Sequence, residues 1–534
     1  MTRSRPDLLE ARAWLAQRHW LDWLLLALVV VVYSPSLSGG FLDYDDPWLI
    51  DQNPVFREAT LPHLGLIWSD FSRAARLSVG AEYLPVRDTS IWLESLAHGL
   101  EPHVMRCVNL AAYLGALVLL RGALRKTWGA SWRAELALLV FALHPLHVES
   151  VAWLAGRKDV LALLFGSAAL FVHAGRSRWR ALWVPALLLL AHFSKAQSVS
   201  VLGLLVAQEL LAKRKLEWRI YAGAVAVAVT AALIHMHVGR LVGMTTPLAG
   251  GTRLNALLTF GDVLGRYLSH LVWPTRLSIV YDVPAQTQLT FSAALGFGLL
   301  LALLSGGLLL WRRGRTPLPL TAWLWVVVPL VPVSQVLFPL QNRMADRYLI
   351  FSVMGLGLLS TCAVARAATI APRATPVAVT GLLVALGAAT FERSRLFGDS
   401  ALLFADATER TELSTTAPYL LGNTLDGRHD VVGAESAYRE VLRRSVSGDE
   451  SARRATNNLA RLYARQGRND DAHAVLIRGR ELFPQDPKVL YNLATITARR
   501  GDEPTARQLF AELQRRFPAY RPGQRSPEDF YRAP

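Results

Sequence analysis

An all-α fold in two parts, a polytopic membrane helix bundle followed by a soluble α-solenoid, is predicted by three observations. The 534 residues are 52% hydrophobic with a mean hydropathy of +0.27, too apolar for an ordinary soluble protein. Apolar runs such as "LDWLLLALVVVVY" (21–33), "LALLFGSAALFVHA" (161–174), "FGLLLALLSGGLLLW" (297–311) and "VAVTGLLVALGAATF" (377–391) recur through residue 391. With their flanks, each is long enough to cross roughly 30 Å of hydrocarbon as a helix. Beyond residue 391 the runs give way to charged sequence with a 34-residue period.

The first run follows Arg3, Arg5, Arg12 and Arg18, and no small-residue cleavage site follows it. It reads as an uncleaved signal anchor with a cytoplasmic N-terminus. The net charge of +16 resides largely in short loops, "RKTW" (125–128), "RSRWR" (176–180), "KRK" (213–215) and "WRRGR" (311–315), a positive-inside pattern. No aromatic-interleaved basic face accompanies it, so nucleic acid is excluded as a partner. Anchoring these loops in the cytoplasm gives about eleven spans: 20–35, 104–120, 134–149, 159–174, 181–193, 197–212, 218–238, 290–311, 318–338, 347–367 and 375–391. The stretch 255–273 carries Asp262, Arg266 and His270 as a polar stripe at four-residue spacing. It is predicted to be an interfacial helix that does not span, because a further span would invert the charge bias. A first loop of about residues 36–103 and everything after 391 then face outward, and the chain divides into a membrane domain, 1–391, and a soluble domain, 392–534.

In the soluble domain Asn458, Gly467, Ala472 and Pro484 recur 34 positions on as Asn492, Gly501, Ala506 and Pro518. This period and these residue types resemble tetratricopeptide repeats, in which small residues let two helices pack, Gly serves the turn and Pro stops the second helix. A looser copy begins near residue 419, where Leu421 and Ala434 precede Leu459 and Ala472 by 38.

Three polar constellations interrupt the apolar background, all on the predicted outer face. "FLDYDDPWLIDQNPVF" (41–56) places Asp43, Asp45 and Asp46 at the end of the first span; "HPLHVESVAWLAGRKD" (144–159) holds His144, His147, Glu149, Arg157, Lys158 and Asp159; "PLQNRMADRYL" (339–349) holds Arg343, Asp346 and Arg347. Lys195 in "HFSKAQ" and Arg87 with Asp88 in "YLPVRDTS" join them. Ionisable groups at such depth are costly, and their convergence favours function. Each has a plainer reading too: the aspartates as caps of a helix begun at Pro47, the cations as snorkelling residues or partners of Asp346. HPxHxE lacks the HExxH spacing that puts two His ligands on one helical face, so zinc is not indicated, and neither is any other cofactor. The two cysteines, Cys107 and Cys362, lie in apolar segments and form no disulfide framework. A basic pocket beside a carboxylate suits a phosphate-linked substrate, which Arg and Lys would hold by charge-assisted hydrogen bonds.

The order "FLDYDDPWLIDQNPVF", "FALHPLHVESVAWLAGRKDVLALLF", "HFSKAQSVSV", "MADRYLIFSVMG" and then tetratricopeptide repeats resembles the transmembrane-and-TPR O-mannosyltransferase-like proteins, in a bacterial form. The resemblance implies a membrane-embedded GT-C glycosyltransferase fold in a bacterial inner membrane, with the repeats in the periplasm. It implies a polyprenyl-phosphate sugar donor, usually mannose, and a hydroxyl acceptor, with Ser or Thr of a secreted protein reached through the repeat groove. The acidic motif of the first outer loop carries the general base in that fold; the carry-over falls on Asp45, with Asp46 beside it. Arg157, Lys158, Lys195, Arg343 and Arg347 are candidates to hold the donor phosphate. His144, His147, Glu149, Asp159, Asp346 and Arg87 would line the sugar or acceptor or support that shell. "YLPVRDTSIW" (83–92) departs from the family's YxPL pattern at Arg87 and Asp88. The alternatives are transfer to a lipid or polysaccharide, a non-catalytic scaffold for envelope assembly, and a flippase for a lipid-linked sugar. No broken-helix repeat pair supports the last.

Overall fold

The computed structural model describes residues 20–243, 246–314, 316–445 and 449–522. Arg3, Arg5, Arg12, Arg18 and Arg315, used above to orient the chain, lie outside them. Among the described residues every regular element is helical. The chain divides into two compact units, the first ending at Leu277 and resuming over Val283–Asp399, the second comprising Ser278–Asp282 and the chain from Ser400 onward.

The first unit carries α1 (Trp20–Leu37), a long loop with α2 (Pro85–His98), α3 (Pro102–Trp128), α4 (Trp132–Ala142), α5 (Arg157–His173), α6 (Arg180–Ser194), α7 (Val199–Leu211), α8 (Trp218–Val242), α9 (Arg253–Val272), α10 (Phe291–Arg312), α11 (Leu318–Val327), α12 (Val353–Ile370) and α13 (Ala374–Leu396). α3 packs on α5, α5 on α6 and α6 on α8, while α4 packs on α12 and α1 on α13. Each of the eleven expected spans falls on a helix, but only α3, α8, α10, α12 and α13 are long and apolar enough by themselves to cross a membrane. The chain is a multi-pass membrane protein, and the count of eleven is not reproduced by these criteria. Breaks and short helices account for the difference. The expected span 134–149 bends by 50° between α4 and Pro145–Ala152, because a residue before proline is pushed out of the α region; His144 has φ −77°, ψ 128°. The expected span 318–338 stops at a short 3₁₀ turn, Val328–Leu330. The expected spans at α6, α7 and α11 are short apolar helices, and α1 is assessed over Trp23–Leu37 alone. α5 opens with Arg157, Lys158 and Asp159 and has only 17 residues. α9, the polar-striped helix, is not among the membrane-length apolar helices; Asp262 pairs with Arg266 at 3.1 Å and accepts from the Ser292 hydroxyl of α10.

The second unit stacks α14 (Ser400–Arg410), α15 (Thr416–Gly427), α16 (Val431–Arg444), α17 (Glu450–Arg465), α18 (Asn469–Leu482), α19 (Pro487–Arg499) and α20 (Glu503–Arg516). Gly467 (φ +77°) and Gly501 (φ +86°) make the turns inside successive pairs, a left-handed conformation that costs a residue with a Cβ about 1–2 kcal/mol. Pro484 and Pro518 follow the second helix of each pair. Ala472 and Ala506 are buried where the helices approach. The looser copy near residue 419 forms the pair α15–α16, so its four extra residues are absorbed without loss of either helix.

Candidate functional site

Helix ends build the site. After the break at His144, a 3₁₀ turn over Pro145–His147, a helical turn over Val148–Ala152 and a second 3₁₀ turn over Leu154–Gly156 lead into α5. This folded path brings Gly156 back against the carbonyls of Glu149 and Ser150, where a Cβ would stand 2.8 and 2.7 Å from their oxygens; only glycine fits such an approach. Glu149, Lys158 and Asp159 consequently gather at one end of the bundle. Lys195 joins them as the C-cap of α6, where a cation is favoured by the helix dipole. Arg347 joins from the 3₁₀ turn Asp346–Leu349.

Three ion pairs lie side by side. Lys158 Nζ donates to Glu82 Oε2 at 2.9 Å. Lys195 pairs with Asp159, whose side chain is fully buried. Arg347 pairs with fully buried Glu149, which also accepts from the Arg347 backbone N–H at 3.0 Å. Aromatic rings floor the cluster: Tyr44 stacks on Trp153 with centroids 5.5 Å apart, the Arg347 guanidinium lies 5.5 Å from Trp153 and 5.6 Å from Tyr348, and Lys195 Nζ lies 5.3 Å from Tyr348.

Asp45 is half-buried and follows Tyr44, whose ring stacks on Trp153 in this cluster. Burial pushes its carboxyl above the usual carboxylate range, while the charges of Lys158 and Arg347 pull it down. Asp46 has a different task. Its carboxylate accepts from the N–H groups of Leu42 at 2.9 Å and Ala155 at 3.1 Å, tying the first loop to the segment before α5. Burial lifts it to about 7. It does not cap the helical turn at Pro47, so the plainer reading of the aspartates fails for this residue. Arg106 strengthens the same tie, donating to the carbonyls of Ala152 at 2.5 Å and Gly40 at 2.6 Å. Asp43 is exposed.

Several expected site residues are committed elsewhere. Successive helical residues point about 100° apart, so Arg157 turns away from Lys158 toward α3. It donates to Asn109 Oδ1 at 2.7 Å and the Met105 carbonyl at 2.8 Å and pairs with Glu94 at 2.5 Å; with 2% exposure it has no face for a ligand. Asp346 pairs with Arg393 at 2.7 Å and meets His270 Nδ1 at 3.5 Å. Arg343 donates to the Val283 carbonyl at 2.6 Å. His144 Nε2 donates to the Leu271 carbonyl at 3.0 Å, and its Nδ1 accepts from Leu146 N–H at 3.3 Å. His147 packs between the rings of Phe141 and Tyr113. Both histidines join helices and neither is among the three ion pairs. Arg87 is buried against Asp88 at 2.7 Å and Glu82 at 3.2 Å. Among the described residues no group of three or more His, Cys, Asp or Glu side chains is placed to hold a metal.

Glu82 is the main residue that motif reading missed. Its only trace in the sequence is an acid just ahead of the "YLPVRD" segment. Burial acts to raise its carboxyl, but Lys158 and Arg87 hold it down to about 2.

A tetratricopeptide repeat family model matches residues 419–473 and 457–521. Curated relatives are named protein O-mannosyl-transferases. Protein O-mannosyl-transferase TMTC1 of Homo sapiens is 32% identical over 144 residues, 26% of this chain and 16% of that protein. F38B6.6 of Caenorhabditis elegans is 28% identical over 36% of this chain and 28% of that protein. Tmtc3 of Drosophila melanogaster is 22% identical over 89% of this chain and 60% of that protein. The chain thus spans less than two thirds of the length of each. Among solved structures, an Archaeoglobus fulgidus oligosaccharyltransferase tethered to an acceptor peptide aligns over 78% of this chain and 59% of that one, with 12% identity and a TM-score of 0.36.

Proposed function

We propose that this chain, a relative of the protein O-mannosyl-transferases, transfers a sugar, mannose by preference, from a polyprenyl-phosphate donor to a Ser or Thr hydroxyl of a secreted protein. The observation that carries this reading is half-buried Asp45 flanked by Tyr44, stacked on Trp153, and by Asp46, bonded to the Ala155 N–H, beside the Lys158, Lys195 and Arg347 ion pairs. A hydroxyl is a weak nucleophile at its free pKa, and a carboxylate at its side removes the proton as the bond to the sugar C1 forms. Asp45 takes that role. Lys158, Lys195 and Arg347 stabilise the phosphate as charge builds on its bridging oxygen. Asp46 holds the loop that carries Asp45. Arg157 drops out of the phosphate clamp, and Asp346 and the two histidines serve the scaffold. Glu149, Asp159 and Arg87 hold cations in place.

The membrane domain acts at the periplasmic face of a bacterial inner membrane, and the repeats stand on the same side and present the acceptor polypeptide. Tetratricopeptide grooves bind peptides, which favours a protein acceptor over a lipid or polysaccharide one. Mass spectrometry of envelope proteins from a deletion strain tests the reading: hexose on Ser and Thr is expected to vanish and to return with the wild-type gene. An unchanged glycan profile would instead leave the scaffold reading.

A further inference from the structure

Every cation in the cluster already has a carboxylate partner, so an incoming phosphate either shares a cation with that partner or takes it over. The pairs differ in what that exchange costs. The side chains of Lys195 and Asp159 are 11% and 0% exposed, and those of Arg347 and Glu149 are 9% and 0% exposed. Separating either pair would leave a carboxylate stranded without solvent, which is strongly unfavourable. The Lys158–Glu82 pair is 22% and 41% exposed, so opening it leaves neither charge cut off from solvent and costs less than opening either of the other two. Glu82 is not stranded when Lys158 leaves, because Oε2 also accepts from Arg87 at 3.2 Å, and Arg87 is itself pinned by Asp88 and the Val79 carbonyl.

We propose that Glu82 is a displaceable counter-ion: it occupies Lys158 in the empty site and hands that ammonium to the phosphate of a polyprenyl-phosphate ligand, remaining behind on Arg87. This rests on the donor class proposed above. Glu82 is therefore a positioning residue acting through Lys158. It holds the ammonium in place until a ligand arrives, and it opposes binding only by competing with the ligand's phosphate for Lys158.

The test is a binding titration of the full-length protein in lipid nanodiscs with a fluorescent polyprenyl phosphate, and with inorganic phosphate as competitor. Glu82→Gln is expected to bind the polyprenyl phosphate at least fivefold more tightly than wild type and to be competed by less inorganic phosphate. Glu82→Asp keeps the anion on Arg87 but shortens its reach, and should tighten binding in the same direction, which covers misfolding of the glutamine variant. In a Lys158→Met background, Glu82→Gln is expected to give no tightening. A structural role for Glu82 would weaken binding on its removal, so the gain distinguishes the two. Equal or weaker binding by both Glu82 variants, with wild type binding normally, overturns the counter-ion role and leaves the donor class standing. Tightening that persists without Lys158 also overturns it. Absence of binding by wild type and both variants overturns the donor class and the counter-ion role together.

Discussion

Asp45→Asn is expected to reduce sugar transfer by about 10²–10⁴-fold, the range over which a positioned general base acts, with the thermal unfolding midpoint unchanged. The substitution preserves size and removes only the ionised oxygen, so a large loss without unfolding isolates the base. The same assignment predicts the pH profile. Burial raises the Asp45 carboxyl above its usual range, and the base must be ionised to work. Activity therefore falls on acidification along a limb that lies above the ordinary carboxylate pKa. Lys158 lowers the Asp45 pKa, so Lys158→Met should move that limb further toward neutral pH. An unshifted limb in that variant, or full activity in Asp45→Asn, would remove Asp45 from the mechanism.

The second large effect concerns Arg347 and Glu149. Arg347→Met leaves Glu149, wholly inaccessible to solvent, without its charge partner. Breaking a buried pair in this way costs about 3–5 kcal/mol. A clear fall in unfolding midpoint is expected, together with loss of transfer. The double variant Glu149→Gln, Arg347→Met removes both charges and should regain most of the stability, since the coupling between contacting residues is not additive. Transfer should remain lost, because the guanidinium itself is missing. Recovery of activity with stability would assign Arg347 to the scaffold alone.

Much of this arrangement is legible in the sequence. Apolar runs mark the helices, and the 34-residue period marks the repeats down to the turn glycines. Asp45, Lys158, Asp159, Lys195 and Arg347, drawn from four separate motifs, do meet around one cluster. What could not be read is how the charges pair. Arg157 and Lys158 are neighbours in sequence yet face different elements, and only packing against α3 decides which is spent on the scaffold. The partners that decide it, Glu94 for Arg157 and Glu82 for Lys158, lie 63 and 76 positions away, beyond any local periodicity. The count of eleven spans is not reproduced by helix length and composition for a related reason. The break before Pro145 interrupts the span that carries Glu149 into the site, so that span does not read as one uninterrupted apolar helix.

The central claim is that the sugar comes from a lipid phosphate. Purified protein reconstituted in liposomes, given a Ser/Thr-containing peptide and either radiolabelled polyprenyl-phosphate mannose or radiolabelled nucleotide-linked mannose, tests it most directly. Label is expected to pass to the peptide from the lipid donor and not from the nucleotide. Label passing from the nucleotide sugar alone, or from neither donor, would contradict the account.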